Sequence, residues 1–142
     1  MNDVGLLIAR IMIAWMFVAS GYGTLMNIPG ATSYFSGLGL PLPFLLAIVV
    51  GLFEIAAGAL LIVGFQTRIV AAVLAVFCLV ATWLGHAGQG ADAASALVNQ
   101  QMVLKDIAVA GGLILLALFS GGRLSLESWL ARRDRVPPAA GA

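Results

Sequence analysis

Long apolar segments separated by short polar ones dominate the pattern along this chain. Four of them approach or exceed the length that a helix needs to cross the roughly 30 Å hydrocarbon core of a bilayer, at about 1.5 Å per residue. These predicted spans cover residues 4–26, 43–64, 68–86 and 102–120. The pattern predicts an all-α fold, an integral membrane four-helix bundle with short loops, formed by residues 1–131.

The segment after the fourth span has the pattern of a short helix at the membrane surface. Leu126, Trp129 and Leu130 recur at helical spacing, and arginines follow them. A tryptophan beside basic residues suits the headgroup region of a bilayer. We expect a C-terminal interfacial helix here, and a disordered tail over residues 132–142, which are basic at first and then rich in Pro and Ala.

Composition narrows the function classes. Hydrophobic residues make up 62% of the chain and charged residues 9%, against roughly 25% charged in soluble domains, so the soluble globular class is excluded. This hydrophobic composition predicts the lipid bilayer as a partner. Seven basic and six acidic residues give a net charge of +1, which predicts no nucleic-acid partner. The single cysteine, Cys78, excludes an intrachain disulfide and a cysteine-based metal cluster. We predict no metal site.

The distribution of arginine predicts the orientation. Arg68 lies between spans two and three, and four more arginines follow span four, whereas residues 27–42 carry no charge and residues 86–104 carry only Asp92. Cytoplasmic segments hold the excess of Lys and Arg. We expect a multi-pass protein of the bacterial inner membrane with both termini in the cytoplasm.

Two charged residues fall inside the predicted spans. Glu54 lies near the middle of span two, on a helical stripe of small residues, and Arg10 lies in the first turns of span one. Arg10 has two interpretations, since its long side chain can reach the headgroups or can extend towards Glu54. Glu54 is either a neutral packing residue or part of a binding site at the bundle centre, where it contacts Arg10, a bound headgroup or a partner subunit.

A second group of titratable residues is predicted at the outer membrane surface. His86 ends span three among glycines, and Lys105 and Asp106 lie near the predicted start of span four. They form either a small polar mouth with binding capacity or a solvated rim that ends the apolar region.

Taken together, these residues resemble a known family. The features are Ala9-Arg10 and Ser20-Gly21 in span one, the Gly39-Leu-Pro turn, Gly51-x-x-Glu54-x-x-x-Gly58 with Thr67-Arg68 after it, Lys105, and Gly121-Gly-Arg-Leu-Ser-Leu-Glu127. Their order and spacing resemble the DoxX family of small bacterial membrane proteins, over nearly the whole chain. The resemblance implies a four-helix membrane bundle, and relatives include a subunit of a thiosulfate:quinone oxidoreductase and members tied to thiol and oxidative-stress assemblies.

Three functions remain, of which the first is implied by the resemblance and the third is a purely structural or assembly protein. The first is an accessory or anchoring subunit of a quinone-linked membrane redox system, which would have a soluble redox enzyme as partner and would not be an enzyme alone. The second is a carrier of a small molecule, lipid or quinone that uses Glu54 as its polar site. The sequence contains no flavin, haem or nucleotide motif, so quinone is the only cofactor under consideration, and a homo-oligomer is a further alternative for the assembly.

Overall fold

Helices make up most of this protein in the computed structural model, which describes residues 3–133. Within that range there are six: α1 (Asp3–Met26), α2 (Ile28–Gly37), α3 (Pro43–Val63), α4 (Thr67–Gly85), α5 (Ala93–Phe119) and α6 (Leu126–Arg133). The four longer ones, α1, α3, α4 and α5, have mean hydropathies of 1.9 to 2.6 and are long enough to cross a membrane. The prediction of an all-α membrane helical bundle is confirmed.

Helix α2 lies in a connection where the apolar pattern gave no span. It begins after Asn27, whose side chain accepts a hydrogen bond from the backbone N–H of Gly30 at 3.1 Å. Pro29 in the first turn has no N–H that the helix would leave unpaired. With ten residues, α2 is too short to cross the bilayer, and it packs mainly on α3.

Helix α5 begins earlier than the predicted span four, at Ala93 rather than near residue 102. Asp92 accepts a hydrogen bond from the Ser95 backbone, and the Ser95 hydroxyl accepts one from the Asp92 backbone, so this capping box fixes the start of the helix. The first turns are polar, and apolar periodicity therefore missed them. At the other terminus α6 extends to Arg133, and the rest of the predicted tail, residues 134–142, lies outside the described residues.

The four spanning helices form two closely packed antiparallel pairs, α1 with α3 and α4 with α5, while contacts between the pairs are sparser. Glycines bring α1 and α3 together. A methyl group added at Gly21 would lie 2.5 Å from the backbone oxygen of Gly51, and one added at Gly58 would lie 2.8 Å from the Val18 side chain. Small residues permit such close approach of membrane helices. The close approach of α1 and α3 therefore depends on the absence of side chains at these glycines.

The two ends of the bundle differ. At the end formed by the start of α1, the end of α5 and α6, which we call the Arg10 end, α6 is joined to the bundle by the Glu127 backbone N–H, which donates to the Gly64 oxygen. Trp129 on α6 stays half exposed, with the Arg133 guanidinium 5.8 Å from its ring. The opposite end, which we call the α2 end, contains α2 and the connection between α4 and α5.

Candidate functional site

A cavity of about 720 Å³ opens at the α2 end of the bundle. Its lining comes from the second half of α1, from α2 and the loop after it, from the first half of α3 and from the second half of α4. Most of the wall is apolar, with Leu46, Val50, Phe77, Val80 and Leu84 among the lining residues. The polar side chains on it are Ser20, Thr24, Asn27, Tyr34, Glu54 and His86. Among residues 3–133, no lysine or arginine lines this cavity.

Glu54 is the acidic residue on this wall and is deeply buried, with 7% of its surface exposed. The hydroxyl of Ser20 on α1 donates to its Oε1 at 3.2 Å. Its Oε2 is buried and has no hydrogen-bond partner. Gly21 on α1 allows this geometry, because a methyl group there would lie 2.9 Å from the Glu54 Cβ. Close packing of α1 and α3 therefore places one carboxyl oxygen against Ser20, while the other is buried without a partner in a residue that lines the cavity.

Tyr34 connects α2 to α4 beside the cavity. Its hydroxyl donates to the backbone oxygen of Gly85 at 3.1 Å, and α2 makes few other contacts with α4. Burial, together with the negative charge of Asp106, raises the pKa of Tyr34 above its ordinary value. The phenol therefore stays protonated and able to donate at physiological pH.

His86 lines the cavity immediately after the end of α4. Its Nδ1 lies 3.1 Å from the Oδ1 of Asn99 on α5. The amide nitrogen of Asn99 donates to the Ser95 backbone oxygen, so the side-chain oxygen faces the imidazole. The polar first turns of α5 thus orient His86.

Lys105 and Asp106 lie apart from His86 and do not line the cavity. Lys105 Nζ is 3.1 Å from Asp106 Oδ1, with 48% of the lysine side chain exposed and 11% of the aspartate side chain. The pair follows Asn99 by six residues, about 9 Å along α5. Of the three residues predicted to form one polar mouth, only His86 lines the cavity.

Arg10 lies at the opposite end of the bundle and does not contact Glu54. It is 1% exposed, and its Nη1 and Nη2 donate to the backbone oxygens of Gly121 and Leu124 at 2.7 and 2.9 Å. Side chains on a helix tilt towards its N-terminus, which directs Arg10 away from the bundle centre. The carbonyls after α5 lack helical partners and accept these hydrogen bonds. The Arg10–Glu54 alternative is wrong for this structure, and Arg10 has a structural role.

Sequence reasoning did not single out the polar residues around Glu54 as site residues. Ser20 lies within the apolar span of α1, six residues before the helix ends, and Tyr34 lies on a helix that periodicity did not predict. The one available signal was that Tyr34 is a phenol in a connection otherwise free of large polar groups. Within residues 3–133, no three His, Cys, Asp or Glu side chains are placed to hold a metal ion together.

Comparison with known proteins places this arrangement in a family. The DoxX family model matches residues 5–87. Two Escherichia coli proteins are 32% identical to this chain: Inner membrane protein YqjF, over 94% of this chain and 97% of its own length, and Inner membrane protein YphA, over 89% and 90%. No solved structure matches this chain. The relatives and the four apolar helices support a multi-pass inner membrane protein. By this family match and by the coverage of these relatives, the chain belongs to the DoxX family.

Proposed function

We propose that this protein binds a small lipophilic molecule of the quinone or lipid class in the cavity at the α2 end, with Glu54 and Ser20 holding the polar head. The observation that carries the proposal is the buried, unpartnered Oε2 of Glu54 on the wall of an otherwise mostly apolar cavity. Ligand sites commonly have this character, a concave apolar wall of 300 to 1,000 Å³ with a few polar groups. An acidic residue inside a membrane span is energetically costly and therefore rare, and such residues commonly serve a function.

A quinone in its reduced, quinol form fits these residues in size and polarity, because its hydroxyl groups can donate hydrogen bonds to Glu54. The aromatic side chains Phe35 and Phe77 line the cavity, and they suit a planar ring. When bound, a quinone would supply two-electron redox chemistry, which no side chain of this protein provides. This chain's own residues would hold the ring and exclude water around it.

The accessory-subunit hypothesis follows from such binding. A protein that holds a quinone-class molecule at one membrane surface can present it to a soluble redox enzyme that docks there. In this proposal, the connection of residues 86–92 and helix α2 form the docking side, because both lie at the α2 end, where the cavity opens. Purification in mild detergent from the native membrane should then recover a redox enzyme, and deletion of the docking connection should abolish that recovery.

Cavity occupancy is tested most directly by filling the cavity. Gly23 lines it and has no atom within 4 Å of an added methyl group, and Gly111 on α5 is equally open but does not line it. Purified wild-type protein and Gly111→Leu should each release a similar amount of bound quinone or lipid on extraction with organic solvent. Gly23→Leu should release at least tenfold less. Equal release from all three would contradict the proposal.

We also propose the orientation in which both termini are cytoplasmic and the cavity faces the periplasmic leaflet, as the arginine distribution predicts. In a Cys78→Ala background, a cysteine introduced by Gln89→Cys should react with an impermeant thiol reagent in cells with a permeabilised outer membrane. One introduced by Arg133→Cys should react only after the inner membrane is opened. The reverse pattern would refute this orientation.

A further inference from the structure

The polar groups around the cavity differ in whether they can donate a hydrogen bond to a ligand or accept one from it. This difference determines which ligand head group the cavity favours. We infer that the cavity selects molecules whose head donates hydrogen bonds, such as a lipophilic phenol or alcohol, over molecules whose head only accepts them. This inference rests on the proposed binding function and specifies the chemical class of the ligand.

Glu54 provides the deepest acceptor. The one hydroxyl hydrogen of Ser20 is directed to Oε1, so Oε2 remains as a buried oxygen with no donor. A carboxyl oxygen that carries no hydrogen can only accept hydrogen bonds. Leaving such an oxygen unsatisfied in a buried site is unfavourable by more than an ordinary hydrogen bond contributes. A ligand hydroxyl placed against Oε2 would remove that penalty.

Tyr34 and His86 add acceptors of the same kind. The hydrogen of the Tyr34 hydroxyl is used on the Gly85 oxygen, which leaves its own oxygen lone pairs for the cavity. Asn99 presents its side-chain oxygen to His86, so Nδ1 must carry the hydrogen between them. In the neutral imidazole, Nε2 then carries a lone pair. Glu54, Tyr34 and His86 therefore each have an acceptor atom that is not used within the protein.

Donors are confined to the α1 side of the cavity. Asn27 uses its side-chain oxygen on the Gly30 N–H, so its amide nitrogen is available, and the Thr24 hydroxyl can donate or accept. Asn27 is exposed, whereas Glu54 is deeply buried. The absence of lysine and arginine from this wall also disfavours a phosphate head, which basic side chains bind best. The buried part of the site therefore favours a neutral donor.

A matched pair of ligands tests the inference. The probes are 4-octylphenol and its methyl ether, 4-octylanisole, which have the same ring and tail and differ in the single donor. Binding to the wild-type protein in nanodiscs is measured by equilibrium dialysis, after correction for partition into empty nanodiscs. We expect the phenol to bind about tenfold more tightly than the ether, and octyl phosphate not to displace it.

Two variants assign that preference to Glu54. Glu54→Gln keeps the shape and the acceptor for Ser20 but turns an N–H2 group towards the cavity, so the phenol preference should fall below about twofold while the ether still binds. Gly111→Leu, which does not line the cavity, should keep the tenfold preference. Binding of the ether to Glu54→Gln also verifies that the variant is folded.

The outcomes separate the two proposals. If both ligands bind wild type equally, or if the phenol preference survives Glu54→Gln, the donor inference is overturned and the binding function stands. If neither ligand binds above the empty-nanodisc level, the binding function itself is refuted, and the inference with it.

Discussion

The two buried charged residues in the spanning helices α1 and α3 are placed in opposite ways. Arg10 donates from Nη1 and Nη2 to the backbone oxygens of Gly121 and Leu124, and although its buried Nε has no partner, it does not line the cavity at the α2 end. Glu54 is open, because one of its oxygens is held by Ser20 and the other has no partner beside a cavity. Burial is nearly the same for both, at 1% and 7% exposed.

This difference shows that burial of a charge does not identify a functional residue. What matters is whether an unpartnered polar group belongs to a side chain on the wall of a cavity that a ligand can enter. Removal of Arg10 would expose carbonyls that depend on it, so its loss should appear in stability. Removal of the Glu54 charge would leave the packing intact, so its loss should appear in ligand binding. The experiments below test that division.

The largest effect is expected at Arg10. Arg10→Leu removes two hydrogen bonds from a charged donor and leaves the buried Gly121 oxygen and the part-buried Leu124 oxygen without them, so the free energy of unfolding should fall by about 3 kcal/mol. Denaturant unfolding in detergent micelles measures this. Arg68→Leu is the control, because Arg68 is exposed at the same end of the bundle, and it should change stability by less than about 0.5 kcal/mol. Equal effects of the two variants would contradict a structural role for Arg10.

A smaller effect is expected where α1 meets α3. Gly21→Ala adds a methyl group 2.5 Å from the Gly51 oxygen, which forces the helices apart and should cost about 2 kcal/mol. Gly23→Ala adds the same group two residues later, in open space, and should not destabilise. Because displacement of α1 also moves Ser20, Gly21→Ala should weaken ligand binding. Preserved stability in Gly21→Ala would show that this close approach is not required.

Loss of the Tyr34 hydroxyl should have a weaker effect. Tyr34→Phe removes one partly exposed hydrogen bond between α2 and α4, so stability should fall by about 1 kcal/mol or less, and ligand should exchange faster. Tyr22→Phe is the control, since the Tyr22 side chain is 60% exposed. Ligand exchange at the wild-type rate in Tyr34→Phe would show that this hydrogen bond does not restrain the cavity.

The same tyrosine gives a dependence on pH. Its folded-state pKa is raised above the ordinary value, so the folded protein holds this proton more tightly than the unfolded chain. The stability that Tyr34 contributes is therefore complete below about pH 10 and is lost as the pH rises through the folded-state value. The difference in stability between wild type and Tyr34→Phe should shrink over that alkaline range.

The smallest effect is expected from coupling between the two buried charges. In a double-mutant cycle with Arg10→Leu and Glu54→Gln, the changes in unfolding free energy should add within about 0.5 kcal/mol, because the residues lie at different levels and share no partner. Each single variant serves as the reference for the other. Coupling above about 1 kcal/mol would support the Arg10–Glu54 contact that the sequence analysis considered.

The outcome of the sequence predictions follows from the kind of information each one used. The long apolar segments predicted the positions of α1, α3 and α4 to within a few residues, because a helix that crosses the bilayer needs a continuous run of hydrophobic residues. The start of α5 depends on the capping box of Asp92 and Ser95, a local polar signal inside a hydrophilic stretch. Glu54 could be identified because an acid within a span is rare. Ser20 and Tyr34 could not, because their roles depend on which helices pack together.

The sequence by itself determined the class of the molecule and the candidate acid, since both follow from hydrophobicity along one dimension. Only the tertiary structure decided how the charged residues are used. The pairing of α1 with α3 placed Ser20 against Glu54, and the hydrogen bond from α2 to Gly85 placed Tyr34 beside the cavity. The end of α5 provided the carbonyls that Arg10 binds, 111 and 114 residues away in the chain. Hydrogen bonds between distant segments depend on their relative position in space, which periodicity does not encode.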